Sequence, residues 1–257
     1  MLVICYGIAK SGSTLAYELV RGVLMSAGYS QDKFDHGALK PRLGGNHMAS
    51  LERAELESLI AAIGCENIVA AKTHKCFEDP DFPWMEDLQR HRKIQVVASY
   101  RDPRDMCLSL LDHGRRSREA GRRAFSGVRK ISRAIEVIEK AIPKFAKWSS
   151  LEGSLRLYFE TVAFAPDDAI DAIERALGVS CDHEEAKRHA FEDAFTQHNK
   201  GKKARYEEEL SERESQAMLR TFGPFIERVC RENDETWFEE FRRRILSGAD
   251  SSQTQAG

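Results

Sequence analysis

The sequence lacks any segment that could cross a membrane and any pattern that would hold a structural zinc ion. No apolar run approaches the ~20 residues of a membrane helix, and the six cysteines form no Cys-x-x-Cys pair. The first apolar run is too short for a secretory signal. A formal net charge of −2 gives no general attraction to nucleic acid or to anionic membranes. These absences predict a cytoplasmic protein with reduced cysteines, no zinc site built from cysteines, and no nucleic-acid or membrane partner.

The chain also lacks internal repeats and linkers rich in proline, glycine or serine. With 257 residues, 42% of them apolar and 31% charged, it is long enough for one domain with a large core. We predict a single domain over residues 1–246. Residues 247–257 are small and polar, which predicts a disordered tail.

Four short apolar runs predict strands, at residues 2–6, 67–73, 94–100 and 155–159. Helical patterns lie between them, at 50–63, at 105–111 and over about 122–148, where Pro143 would kink or split the helix. Later helices are predicted at 166–177, ended by Gly178, and after the capping box that begins at Ser211. Strands that alternate with helices predict an α/β fold. We expect a three-layer, P-loop NTPase-like sandwich with a central parallel sheet of four to five strands and a helical C-terminal region.

The loop after the first strand, residues 6–14, has the features of a phosphate-binding loop. Gly7 and Gly12 are spaced like the glycines of the nucleotide P-loop, and the loop opens a helix whose free N–H groups favour an anion. The residue after Gly12 is Ser13, however, whereas a P-loop has lysine there. The loop's lysine is Lys10, inside the loop.

Polar residues also follow the second and third predicted strands. Lys72 and His74 end one strand, and Arg101 ends the next. In open parallel sheets ligands bind outside the carboxyl ends of the strands, so these side chains are expected to share one crevice. His74 could be an ordinary loop histidine, but beside two lysines it could take a proton from an attacking hydroxyl. Lys10 and Lys72 could stabilise negative charge on a transferred group.

Four motifs in this order resemble those of the sulfotransferases that use 3′-phosphoadenosine 5′-phosphosulfate (PAPS). They are the loop at residues 9–14, the Lys-Thr-His segment at 72–74, Arg101 with Ser109 eight residues later, and the basic segment Lys200-Gly201-Lys202 with Arg205. Each motif alone is weak, but the ordered set extends over most of the chain.

The resemblance implies a role for each of these residues. Catalysis would fall to His74 as the base, with Lys10 on the bridging oxygen and Lys72 beside it. The donor's 5′-phosphosulfate would be bound by Lys10, Ser11, Gly12, Ser13 and Thr14. The 3′-phosphate would be bound by Arg101, Ser109, Lys200, Gly201 and Lys202. The expected reaction moves the sulfuryl group from PAPS to a hydroxyl or amine, leaves 3′-phosphoadenosine 5′-phosphate (PAP), and needs no metal.

Two departures from the family pattern concern the adenine side. Leu15 stands where many members have tryptophan, and Phe159 replaces a frequent tyrosine. Two alternatives stay open, a P-loop kinase of small molecules or nucleotides and an inactive nucleotide-binding protein of the same fold. The acceptor could be a small molecule, a lipid or a glycan. An acidic acceptor would suit the arginine-rich residues 115–123, although a solvated helix face also explains them.

Overall fold

The computed structural model describes residues 1–42, 45–194 and 202–253. Six strands form one sheet in this part of the chain, in the order β2-β3-β4-β1-β5-β6. Their bounds are β1 Leu2–Gly7, β2 Leu39–Arg42, β3 Gly45–Met48, β4 Val69–Thr73, β5 Ile94–Tyr100 and β6 Leu155–Tyr158. The strands pair in parallel except β2 and β3, which are antiparallel.

The four predicted strands are confirmed as β1, β4, β5 and β6. Sequence analysis missed β2 and β3, which add an antiparallel hairpin at one edge of the sheet. These two strands have four residues each, include Pro41, and contain no apolar run. They therefore show no strand periodicity, and among the described residues β3 is joined to β4 through the pairing of His47 with Lys72.

Helices cover both faces of the sheet. Their bounds are α1 Ser13–Ser26, α2 Arg53–Ile63, α3 Phe82–Arg90, α4 Pro103–Glu119, α5 Ile131–Glu139, α6 Ile142–Ser149, α7 Phe159–Phe164, α8 Pro166–Leu177, α9 His183–Arg188, α10 Tyr206–Glu209, α11 Glu212–Phe225 and α12 Glu235–Gln253. The predicted stop at Gly178 and the capping box at Ser211 are both present. The segment predicted as a tail starts inside α12, which extends to Gln253.

The expectation that a helix begins at about residue 122 is wrong. The chain turns at Gly121 and Phe125, which have φ values of 64° and 56°, and α5 begins only at Ile131. The predicted break at Pro143 is confirmed, because this residue lies in the first turn of α6, where proline costs no helix hydrogen bond.

Successive residues of β1 alternate between two separate apolar cores. Leu2, Ile4 and Tyr6 belong to the larger core, and Val3 and Cys5 belong to the core on the other face. Helices α1 and α8 supply side chains to the second core, whereas α2 to α6, α11 and α12 supply the first. A strand buried on both faces is typical of a central parallel strand, so the predicted three-layer arrangement is confirmed.

No helix in the described ranges is both long enough and apolar enough to traverse a lipid bilayer.

Candidate active site

The loop between β1 and α1 exposes the N-terminus of a 14-residue helix. Lys10 and Gly12 both have a positive φ, at 71° and 78°, and the amide of Ser11 donates to the carbonyl of Ile8 at 3.0 Å. Gly12 is the N-cap of α1 and has no side chain to satisfy the amides of the first turn. These amides are therefore available to an anion at the positive end of the helix dipole.

Both glycines of the loop are required by close packing. A Cβ atom on Gly7 would lie 2.2 Å from the Cβ of Ser13 and 2.4 Å from the Oγ of Ser99. A Cβ atom on Gly12 would lie 2.4 Å from Cδ2 of Phe159. The loop geometry therefore depends on contacts from β5 and α7, which a local reading of the loop could not show.

The sheet order places the ends of β4, β1 and β5 side by side. The Nζ of Lys72 donates a hydrogen bond to Oγ1 of Thr14 at 2.7 Å, which links the end of β4 to the first turn of α1. Lys72 is only 6% exposed, and burial lowers its pKa to about 8. This ammonium is thus held next to the loop at an energetic cost that a bound anion would relieve.

The imidazole of His74 is oriented by the main chain of the loop. Its Nδ1 lies 2.9 Å from the carbonyl oxygen of Gly7. Because a carbonyl can only accept, Nδ1 carries the proton and Nε2 keeps its lone pair. The side chain is exposed on the wall of a cavity, and the surrounding protein, together with the charge of Lys72, lowers its pKa. A neutral imidazole with a free Nε2 can accept a proton near neutral pH.

Lys10 contacts a residue that sequence analysis did not select. Its Nζ lies 3.2 Å from Nδ1 of His113, on α4. Burial, followed by the charge of Arg116, lowers the pKa of Lys10 to about 8, and the pKa of His113 is lowered by burial and by Lys10. His113 lies one helical turn beyond Ser109, so their shared helix face was the signal that could have identified it.

Arg101 is surrounded by acceptors at the start of α4. Its Nη2 donates to Oδ2 of Asp105 at 2.7 Å and to the carbonyl of Lys202 at 2.9 Å. Its Nε lies 3.7 Å from Oε1 of Glu160, and its guanidinium lies 4.1 Å from the ring centroid of Phe159. The pKa of the carboxyl groups of Asp105 and Glu160 is raised, because the effect of burial exceeds the opposing effect of the Arg101 charge.

One edge of Arg101 is incompletely bonded. Its Nε and the Oε2 of Glu160 are buried and make no hydrogen bond within the described residues. Because buried polar groups are almost always paired, an orphaned donor in this place is a feature expected of a binding site.

The segment after residue 201 packs on α4 near Arg101. The amide of Tyr206 donates to Oδ1 of Asp105 at 3.2 Å, and Arg205 pairs with Asp112 and Glu209, each at 2.8 Å. Lys202 reaches Arg101 through its carbonyl, while its Nζ lies 3.9 Å from Glu208. Of the predicted 3′-phosphate residues, Ser109 is buried on α4. Lys200 and Gly201 lie outside the described residues.

A cavity of about 440 Å³ opens beside the loop. Its lining residues are Tyr6, Gly7, Ala9, Lys10, Ser13, Thr14, Lys72, His74, His113, Phe125, Val137, Lys140, Ala141 and Lys144. Lysines and histidines supply all of its ionisable groups apart from one tyrosine. No described lining residue is an aspartate or a glutamate. The cavity therefore brings together the three predicted catalytic residues in surroundings suited to an anion.

A second cavity of similar volume adjoins the first at Lys144, and it is lined by residues of α6, α12 and the segment around Asp79. Elsewhere, ligand atoms of Glu174, Cys181 and His183 lie within 4.8 Å of one another. Hydrogen bonds account for this group, since Glu174 accepts from the amide of Cys181 and His183 bonds to Asp167. None of these residues lines the cavity beside the loop.

No protein-family model matches the sequence, and no curated protein sequence is similar to it. Solved structures do resemble it. Mouse sulfotransferase SULT7A1 complexed with PAP matches with a TM-score of 0.58 and 11% identity, over 95% of this chain and 88% of that one. Retinol dehydratase in complex with androsterone and the inactive cofactor PAP matches with a TM-score of 0.52 and 17% identity, over 91% and 81%.

The class of protein follows from these matches together with the topology. The chain is an α/β protein with the sulfotransferase fold.

Proposed function

We propose that the protein is a sulfotransferase that moves the sulfuryl group of PAPS to a hydroxyl or amine of an acceptor. The observation that carries the proposal is the meeting of Lys10, Lys72 and His74 in one cavity that contains a helix N-terminus and no described carboxylate. A donor with a phosphosulfate fits this site, because the loop amides and both lysines are available to its charge. The two PAP complexes with the same fold support this choice of donor.

The chemistry requires a proton acceptor and a stabilised leaving group. Nε2 of His74 takes the proton from the acceptor while the acceptor's oxygen or nitrogen forms a bond to sulfur. The bond between sulfur and the bridging phosphate oxygen then breaks, and Lys10 neutralises the charge that develops on that oxygen. Lys72 stabilises the transferred group from the side of β4. The reaction is an in-line displacement, and PAP leaves with the electron pair of the broken bond.

The 3′-phosphate is proposed to bind near Arg101 and Ser109. The orphaned Nε of Arg101 supports this assignment, and so does the docking of residues 202–209 on α4. Lys200 and Gly201 complete the proposed set, and Lys202 contributes its main chain. Phe159, whose ring stacks on Arg101, takes the place that the resemblance gives to a tyrosine.

The kinase alternative requires an acid that could hold magnesium near the phosphates. Asp102 is the acid at the end of β5, but it caps α4 and forms a bidentate ion pair with Arg104 at 3.0 and 2.6 Å. Both of its carboxylate oxygens are therefore already used in contacts that stabilise the start of α4. The six free cysteines agree with the proposed cytoplasmic setting.

Thermal unfolding with PAP, with ATP plus magnesium, and without ligand distinguishes the donors. PAP is expected to raise Tm, because it binds only the folded state. Transfer of labelled sulfate from PAPS to a phenol then tests catalysis. Stabilisation by ATP plus magnesium alone would favour the kinase, and PAP binding without any transfer would favour an inactive binding protein.

A further inference from the structure

The cavity contains more positive groups than the donor chemistry uses. Lys10, Lys72 and His74 are assigned to transfer, which leaves His113, Lys140 and Lys144 among the lining residues. His113 is accounted for by its bond to Lys10. Lys140 and Lys144 belong to the α5–α6 region and have no role in the proposed reaction.

These two lysines are not neutralised by the protein. Within the described residues, neither ammonium makes an ion pair or a hydrogen bond, and both side chains are exposed. Lys147, one turn after Lys144, instead pairs with Asp79 and donates to the carbonyl of Phe77 at 3.0 Å. Lys144 also lines the neighbouring cavity, which contains Glu78 and Asp79, but within the described residues it forms no ion pair with either. Lys147 is therefore paired, whereas Lys140 and Lys144 are not.

Helix electrostatics make Lys144 more unusual than Lys140. Lys140 follows the last residue of α5, where a cation interacts favourably with the helix dipole. Lys144 lies in the first turn of α6, where a positive charge is disfavoured. The helix dipole therefore does not account for the charge at position 144, which leaves room for a function at the cavity.

The wall around these lysines is apolar. Phe125, Val137 and Ala141 line the same cavity, and Tyr6 lies at its base on β1. An occupant would therefore need an apolar or aromatic body together with a negative group that reaches the lysines. Resting on the proposed sulfotransferase function, we propose that the acceptor is a small phenol or alcohol that carries an anionic group bound by Lys140 and Lys144.

Three phenols that share a 2-(4-hydroxyphenyl)ethyl frame test the charge preference. They are 3-(4-hydroxyphenyl)propanoate, its neutral amide, and the cationic tyramine, each assayed with labelled PAPS. The propanoate is expected to have a kcat/KM at least about tenfold above that of the amide, with tyramine the poorest. Equal rates for the propanoate and the amide would overturn the proposal. It would also be overturned if the protein binds PAP but sulfates none of the three phenols.

Variants locate the effect on the two lysines. Lys140→Met and Lys144→Met are each expected to raise KM for the propanoate about tenfold with little change in kcat, and to leave the amide unaffected. Lys144→Glu should improve tyramine relative to the propanoate. The control is Lys130→Met, which removes an equal charge from an exposed lysine just before α5 and should change none of these values.

PAP binding separates this proposal from the one on which it depends. The lysine variants should keep the wild-type rise of Tm with PAP, because the two lysines serve the acceptor. A loss of PAP affinity as large as the loss for the propanoate would assign them to the donor and overturn the inference. Failure of PAP to bind the wild-type protein would instead refute the proposed function itself.

Discussion

The two halves of the candidate site handle positive charge in opposite ways. Around the β1–α1 loop, Lys72 is buried and Lys10 half-buried without a carboxylate in the cavity, and burial lowers the pKa of each to about 8. Around the start of α4, Arg101 is enclosed by Asp105 and Glu160, and burial raises the pKa of these acids. The lysine half therefore awaits an external anion, whereas the arginine half is already balanced. Arg101 therefore stabilises the fold in addition to any contact that it makes with a ligand.

The largest expected effect is on the rate of transfer, when the proposed general base beside the two lysines is removed. His74→Ala should lower kcat for sulfuryl transfer about 10²- to 10⁴-fold, because a general base contributes that much. PAP should still raise Tm as in the wild type, since the hydrogen bond of the imidazole in the described part of the chain is to the carbonyl of Gly7. The assay is transfer of labelled sulfate, with His91→Ala on the exposed end of α3 as the control. Full activity of His74→Ala would remove this residue from catalysis.

In the half of the site around Arg101, loss of the cation should lower the stability of the folded protein. Arg101→Met leaves Asp105 and Glu160 buried without their cation, which typically costs about 3–5 kcal/mol. Urea denaturation measures this loss, and Asp105→Asn in the same chain should recover part of it. An Arg101→Met protein as stable as the wild type would show that the two halves do not differ as described.

Removing a buried lysine should instead raise the stability of the folded protein. Folded Lys72 loses its proton at about pH 8, below its ordinary value of 10.5, so the folded state binds fewer protons between these values. Stability from this residue therefore rises as pH increases from 8 to 10.5. Lys72→Met should be more stable than the wild type by about 1–2 kcal/mol at pH 7, with the difference closing by pH 10. Parallel stability curves for the two proteins would contradict this expectation.

The smallest expected effect is on donor binding. Both lysines must be protonated to attract a phosphate, and each has a pKa of about 8 in the free protein. The Kd of PAP should therefore rise about tenfold from pH 7 to pH 9, a range in which the phosphates are already ionised. Lys10→Met should flatten this dependence in calorimetric titrations. A Kd independent of pH in the wild type would mean that neither lysine contacts the donor.

The sequence alone identified the strands and the residues at their ends, because buried strands and a glycine loop have strong local patterns. It missed the β2–β3 hairpin, whose eight residues have no apolar alternation. It also missed His113 and the partners of Arg101, since these contacts join α4 to α7 and to the segment after residue 201. It missed Lys140 and Lys144 as well, because it predicted a break near Pro143 but not that the residues around the break line the cavity beside the β1–α1 loop.

The break between α5 and α6 has a consequence for how this chain could acquire new substrates. The donor loop is built on the central strands, where a change of side chain disturbs the packing of the sheet. Lys140 and Lys144 lie instead at the facing ends of two short helices, of which α5 is anchored by the buried Ala134 and Ile138 and α6 by the buried Phe145 and Trp148. Under the proposed function, single substitutions at 140 and 144 should therefore alter the accepted molecule while the donor stays the same, and we expect divergence and engineering to act at these two positions.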